Sequence, residues 1–338
     1  MRSLPGAFRR RMGRGFGAGD GLVAIATLLW SVNIVVVKVG LANAGPLTYA
    51  CLRFLIGGVA LWLLARQLEG PHGAPVTSDT KAPWLLAAAA ATGVAISQAT
   101  FTGALALTNV DFVAMVFGAT PLLVSGWLAW HGQVQFGVRV WFGLLTGFLG
   151  VAIVVATPGG GQTSWLGIAA ALGSTVSSAI YVLLLPGLLR RYRPLTLAAR
   201  ISLLGGCMLA PFCAIEAIAH HPYITWAWVG LFAFSALVAV AVTNWLYLAA
   251  VRRLGPARAA SYNYLEPFLG VLAASLLIRE PVIPLQLLGG IIIVLSIVFG
   301  WPRALSVAGP VGVGGAVAEI TETELVRAAV PSRQPPSG

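Results

Sequence analysis

Charge is what this sequence has least of. Only 9% of its 338 residues are Asp, Glu, Lys or Arg, against about 25% in ordinary globular chains, while 58% are hydrophobic. Such a chain cannot cover a water-facing surface, so lipid must be its solvent. Cysteine is scarce as well. Cys51, Cys207 and Cys213 all fall inside apolar runs, so neither a disulfide framework nor a metal site is indicated. The histidines His72, His131, His220 and His221 lie in loops or at the ends of apolar runs, and H-E-x-x-H, G-x-S-x-G and Walker A arrangements are missing. An intramembrane enzyme would need a nucleophile–base pair or a metal set within the spans, and an ATPase would need a phosphate loop. The net charge of +11 would suit nucleic acid in a soluble protein. Here the arginines cluster beside apolar runs, as membrane orientation requires, so neither a nucleic-acid partner nor a cofactor is expected.

What the sequence does contain is a succession of charge-free runs, each near the ~20 residues that cross a bilayer. They predict ten helices near 21–40, 47–65, 84–105, 112–130, 139–157, 165–187, 195–217, 226–250, 258–278 and 285–302. Gly and Pro mark the joints, as in Ala44-Gly45-Pro46, Thr157-Pro158-Gly159 and Leu254-Gly255-Pro256. Residues 1–20 carry five arginines and read as a cytoplasmic tail; the competing reading, a signal peptide, lacks a clear cleavage site. Residues 303–338 are rich in Pro, Ser and Gly and read as a disordered cytoplasmic tail around a short Glu319–Arg327 segment.

One sixteen-residue stretch occurs twice. Pro46–Leu61 reads PLTYACLRFLIGGVAL and Pro194–Leu209 reads PLTLAARISLLGGCML, so eight positions agree at an offset of 148. Later helices match at an offset of 146: Ala95 with Ala241, Ser97 with Thr243, Gln98 with Asn244, Pro121 with Pro267 and Gly143 with Gly289. Residues 21–157 and 165–302 are therefore two repeats of five helices each. Five is odd, so the second repeat must enter the membrane inverted. The loops agree. Arg66 and Lys81, Arg139, Arg190 with Arg191 and Arg193, and Arg252 with Arg253 and Arg258 fall on one side, whereas the joints at 41–46, 106–111, 158–164 and 218–225 contain no Lys or Arg. Inverted repeats are a signature of secondary transporters, whose halves exchange conformations around a central site.

Glu266 lies eight residues into the ninth span, about 12 Å deep, where a lipid-exposed carboxylate would cost at least about 2.5–3.5 kcal/mol. It must face a cavity, be paired or be protonated; a protonated glutamate bonded across helices is the structural alternative to a substrate-amine or proton site. Asn263 and Tyr262, three and four residues earlier, share its helical face. Trp30 and Asn33 in the first span, Gln98 in the third, Tyr181 in the sixth, and Asn244 and Tyr247 in the eighth add aromatic and amide groups. Each of these could serve as inter-helical glue, but their recurrence at repeat-equivalent positions favours one shared cavity. Pro121 and Pro267 are expected to kink their helices as static bends or moving hinges. Thr120 stands where Glu266 stands in the other half. Lys38 and Arg53 are expected to snorkel to the outer interface. Gly143 and Gly147 offer either packing inside the bundle or a homodimer contact.

At this point the chain resembles the drug/metabolite transporter superfamily, specifically its EamA-type members. The matching features are Leu29-Trp30-Ser31-Val32-Asn33 leading to Lys38, Pro46 with Leu52-Arg53-Phe54, Pro121, and Glu266-Pro267, over roughly residues 21–302. The resemblance implies an all-α integral membrane protein of the bacterial inner membrane, with ten transmembrane helices in two inverted five-helix repeats. It also implies export of amino acids, metabolites or drugs. A sugar or nucleotide-sugar carrier or a lipid flippase is the alternative on the same fold; an intramembrane enzyme or a sensor is the alternative from another class. Members often end the fourth and ninth spans in a Gly-Glu pair. Here the fourth ends in His131-Gly132-Gln133, and the ninth keeps Glu280 but has Arg279 in place of the glycine. The expected partners are a small solute, with protons as a candidate coupling ion, and the bilayer.

Overall fold

The structure, a computed structural model, describes residues 17–300 except 42, 70–81, 109, 157–163, 220–222 and 280–281. The two tails, apart from residues 17–20, therefore lie outside the described residues, as do Lys81, His72, His220, His221, Glu280 and the side chain of Lys38. The described residues are helical throughout their ordered elements. We label the rods α1 (Ala18–Gly40), α2 (Pro46–Leu68), α5 (Val138–Val155), α6 (Trp165–Leu189), α7 (Pro194–Ala219) and α10 (Pro284–Gly300). Four others are interrupted. α3 joins Ala82–Ala90 to Ser97–Leu107 through a π-helical stretch Ala91–Ile96, and α8 joins Trp226–Ala233 to Thr243–Leu254 through Phe234–Val242. α4 consists of Val110–Phe117 and Thr120–Trp130, and α9 of Pro256–Ser261, a 3-10 turn Tyr262–Tyr264 and Leu265–Ile278. Eight rods, α1 to α8, are long and apolar enough to cross a membrane as single helices, and α10 is shorter at 17 residues.

Local chemistry fixes the ends. Gly45 and Gly137 precede α2 and α5, the Ser164 hydroxyl accepts from Gly167 N–H at 3.0 Å, and the Thr225 hydroxyl accepts from Trp228 N–H at 3.2 Å. Gly255, at φ 82°, turns the chain from α8 directly into Pro256 of α9. Arg279 closes α9 at φ 58°, a left-handed conformation that costs a non-glycine residue about 1–2 kcal/mol. That is the position where the resemblance leads one to expect glycine. The outward faces are apolar, and Trp84, Trp130, Trp165 and Trp226 stand 80%, 89%, 85% and 91% exposed at helix ends, two toward each side, as interfacial anchors do.

The two copies of the repeated stretch pack broadly against each other, antiparallel. A Cβ on Gly58 would meet Leu203 at 2.9 Å, and one on Gly206 would meet Leu55 at 2.8 Å; Leu55 and Leu203 are themselves repeat equivalents. The neighbouring glycines follow the same rule. Gly57 faces the π stretch of α8 at Ala236 and Val240, and Gly205 faces α3 at Ala90 and at Val94 of its π stretch. The remaining contacts come in matching sets: α1 with α8 and α9, α6 with α3 and α4, and α5 with α10. Two equivalent helices that lie antiparallel to one another establish the inverted pseudo-two-fold directly. Gly143 and Gly147 are used inside the bundle, where they meet Gly300, Ser296 and Tyr264.

The helix pair is also bonded at both ends. The Glu69 carboxylate, at the far end of α2, accepts from the Thr196 N–H at 3.2 Å and from its hydroxyl, at the start of α7. The Glu216 carboxylate, at the far end of α7, accepts from the Thr48 N–H at 2.7 Å, at the start of α2. Each copy thus supplies the anionic cap that the other copy's own sequence lacks.

Gly57→Val should lower the stability of the detergent-solubilised protein by about 1–3 kcal/mol, because its Cβ position lies 2.5 Å from the Ala236 carbonyl. Gly103→Ala, with nothing within 4 Å of its Cβ position, should be neutral. Thermal unfolding followed by size-exclusion chromatography checks both, and equal losses would sink the close-approach account.

Candidate functional site

α9 changes its winding in the middle without leaving the right-handed helical region. Ser261, Tyr262, Tyr264 and Leu265 all keep right-handed helical backbone angles through the 3-10 turn Tyr262–Tyr264, and Glu266 and Pro267 follow directly. α4 has a comparable irregularity at Gly118-Ala119, just before Thr120 and Pro121. Each proline thus follows a local tightening of its helix. The Thr120 hydroxyl donates to the Phe117 carbonyl at 2.7 Å, replacing the backbone bond that Pro121 cannot make. Glu266 holds the equivalent place in α9.

Several sequence-predicted residues gather around Glu266. A Cβ on Gly270 would lie 3.8 Å from Ile34, so the preceding turn, which carries Glu266, is level with Trp30 on α1. The Trp30 and Tyr247 rings meet at 5.1 Å with a 53° tilt. The Tyr247 phenol lies beside Asn263 and within electrostatic range of Tyr181 and Glu266. The Tyr181 ring covers Gly93 in the π stretch of α3, against which a Cβ would clash. Buried polar atoms in this region have no hydrogen-bond partner: Asn33 Oδ1, Asn263 Oδ1 and the Tyr247 hydroxyl. Such groups are costly unless a ligand or water completes them. Asn244 is half-buried, one turn before Tyr247.

Two predicted residues stand apart. Tyr262 is buried, but its hydroxyl donates to Asp20 Oδ1 at 2.8 Å. That bond draws it toward the start of α1, one turn before Glu266. Asp20 also accepts from Arg258 Nη2 at 2.8 Å, tying the start of α1 to the start of α9. Gln98 Oε1 accepts from Arg53 Nη2 at 2.5 Å. The Arg53 guanidinium therefore turns into the bundle, where α2 meets α3, instead of snorkelling outward.

Sequence reasoning overlooked Asp20, Glu69 and Glu216. Asp20 did carry a signal, as an acid in the first turn of an apolar helix. Nothing local signals its pairing with a residue 238 positions away. Also unforeseen is the serine network of α3 and α6, in which Ser97 and Ser178 hydroxyls meet at 2.9 Å and Ser177 donates to the Thr92 carbonyl at 2.7 Å. On the opposite side of the pseudo-two-fold, the α1–α8 contact carries the Trp30–Tyr247 ring pair instead. Among the described residues no three His, Cys, Asp or Glu side chains converge as a metal-holding group.

A helical bundle of two inverted five-helix repeats is the architecture of a membrane transporter. The chain matches the EamA-like transporter family over residues 17–156 and 165–300, and it belongs to that family. It is 31% identical over 284 residues to the uncharacterized transporter YvbV of Bacillus subtilis (strain 168), covering 81% of this chain and 88% of that protein. An uncharacterized transporter of Archaeoglobus fulgidus is 25% identical over 290 residues, covering 82% and 94%. A solved crystal structure superposes with a TM-score of 0.63 at 18% identity, covering 82% of this chain and 94% of that one, a likeness of fold.

Tyr262→Phe should cost about 1–2 kcal/mol of stability, the worth of a hydrogen bond to a carboxylate, and leave solute affinity within two-fold of wild type. Thermal unfolding and ligand binding on the same purified protein check this. A drop in affinity with unchanged stability would return Tyr262 to the pocket.

Proposed function

We propose that this chain is a secondary transporter that carries a small organic solute out of the cell by alternating access around Glu266. The solute is of amino-acid, metabolite or drug type. The observation that carries the reading is a carboxylate inside the bundle, level with Trp30 and near Tyr247, where the buried polar atoms of Asn33, Asn263 and Tyr247 have no hydrogen-bond partner. Inverted repeats of this kind carry substrate sites near the middle of the membrane, at the repeat interface. In the proposed mechanism Glu266 binds a substrate amine or exchanges a proton. Asn33, Asn263, Tyr247 and Asn244 supply hydrogen bonds, while Trp30, Tyr181 and Tyr247 contact the apolar body. The α2–α7 pair, self-complementary across the pseudo-two-fold, is the axis about which the repeats exchange conformations, with the local tightenings before Pro121 and Pro267 as hinges. In this reading the protein sits in a bacterial inner membrane with both termini in the cytoplasm, an orientation that the arginine-rich loops support.

A comparison of metabolites released by expressing and deleted cells identifies the cargo. Glu266→Gln, inserted at wild-type level, should then lower its flux in proteoliposomes at least ten-fold. Flux at the wild-type rate, with unchanged pH dependence, would remove the carboxylate from the mechanism.

A further inference from the structure

On the arginine-rich side, the ends of four helices enclose a cavity of about 220 Å³. Its wall is made by Glu69 just after α2, by the turn between α6 and α7, and by Arg252 in the last turn of α8. Four arginines line it: Arg190, Arg191, Arg193 and Arg252. Arg193 directly precedes α7, whereas Arg252 belongs to the far end of the next helix, so tertiary packing brings the two to one place. The wall is built rather than a loose fringe. Tyr192 is 5% exposed, and the Arg200 guanidinium lies over its ring, 4.8 Å from the centroid. The acid on the wall, Glu69, is engaged by the N–H and the hydroxyl of Thr196. The positive-inside rule explains why arginines lie on this side of the membrane. A cation anywhere in a loop satisfies that rule, which gives no reason for four to converge on one concavity.

The chemistry of the wall suits a phosphate. Guanidinium groups present planar forks of N–H donors that match phosphate oxygens, and such charge-assisted bonds are the strong ones. The volume falls short of the roughly 300–1,000 Å³ that encloses a drug-sized solute, so a headgroup fragment fits and a whole cargo does not. The Tyr192 ring is buried under Arg200 and offers a nucleobase no face to stack on. The depth is that of the membrane surface, because the wall joins the ends of four apolar spans. Basic pockets between helices on the cytoplasmic side bind anionic headgroups. We propose that this cavity holds the phosphate of an anionic phospholipid, with Arg193 and Arg252 as its principal donors. One phosphate bonded to both ties the start of α7 to the end of α8, beside the Glu69–Thr196 bond that caps α7. The site needs only the arginine-rich side of the membrane and makes no use of Glu266 or of the cargo.

The test uses three probes on the delipidated full-length protein in a non-ionic detergent, with binding followed by native mass spectrometry. Phosphatidylglycerol is anionic, phosphatidylcholine carries a cation that balances its phosphate, and glycerol 3-phosphate is a soluble headgroup. Wild type should bind its first phosphatidylglycerol at least ten-fold more tightly than phosphatidylcholine, and glycerol 3-phosphate should not displace it. Replacing both donors, Arg193→Gln with Arg252→Gln, should weaken phosphatidylglycerol at least ten-fold and erase the preference. Arg139→Gln removes an arginine of the same side that lies outside this cavity, and should stay within two-fold of wild type. Arg193→Lys with Arg252→Lys keeps both charges and covers the case in which the glutamine pair does not fold. It should weaken phosphatidylglycerol several-fold, because an ammonium lacks the fork. A loss in Arg139→Gln equal to that of the glutamine pair would reduce the effect to general surface charge and overturn the site. Equal binding of the two lipids, or wild-type affinity in the paired variants, would overturn it as well. Displacement of the lipid by glycerol 3-phosphate would overturn the lipid assignment and give the cavity to a soluble phosphate.

Discussion

The rest of the structure depends on the contact between α2 and α7. Two copies of one stretch lie antiparallel, with glycine backbones at the crossing and a glutamate from each helix capping the other. A contact between identical surfaces satisfies both partners with one set of residues, as the isologous interface of a dimer does. Lipid tails provide no hydrophobic drive for helix association, so close backbone approach and polar bonds must hold the pair together. Gly57, Gly58, Gly205 and Gly206 supply the first, and Glu69 and Glu216 the second. Moving either copy alone would break both kinds of contact.

Chemistry enters where that symmetry fails. Thr120 completes the backbone before Pro121 in α4, whereas Glu266 at the same place in α9 puts a carboxylate near Tyr247. The α3–α6 contact is sealed by serine hydroxyls, whereas α1 and α8 meet through the rings of Trp30 and Tyr247. Arg53 answers to Ile201, and Asp20 to Ile168. Each departure puts a polar or aromatic group where the equivalent position is satisfied or apolar. A symmetric scaffold can rock between two states, but distinguishing one solute from another takes groups that occur once.

A carboxylate in hydrocarbon is expensive, and α9 meets two of them. Near its start Arg258 and Tyr262 both bond Asp20 of α1, whereas Glu266, one turn beyond Tyr262, lies near Tyr247 and Asn263.

The sequence by itself determined the membrane class, the ten spans, the duplication and its inversion. Each follows from one-dimensional properties: run length, charge distribution, and the odd number of helices per repeat. It also singled out Glu266, because any acid in the middle of an apolar run demands an explanation. What only the tertiary structure decided is which polar groups meet. Helical periodicity put Tyr262 and Asn263 on one face with Glu266, yet the Tyr262 hydroxyl is taken by Asp20 of α1, while Asn263 and Glu266 both lie near Tyr247. Arg53 looked close enough to the interface to snorkel, yet Gln98, 45 residues away, draws it inward. The pairing of Asp20 with Arg258 and the caps exchanged by Glu69 and Glu216 bridge even longer separations. No local pattern encodes such bonds, because they form only when helices brought side by side by glycine packing leave a donor facing an acceptor.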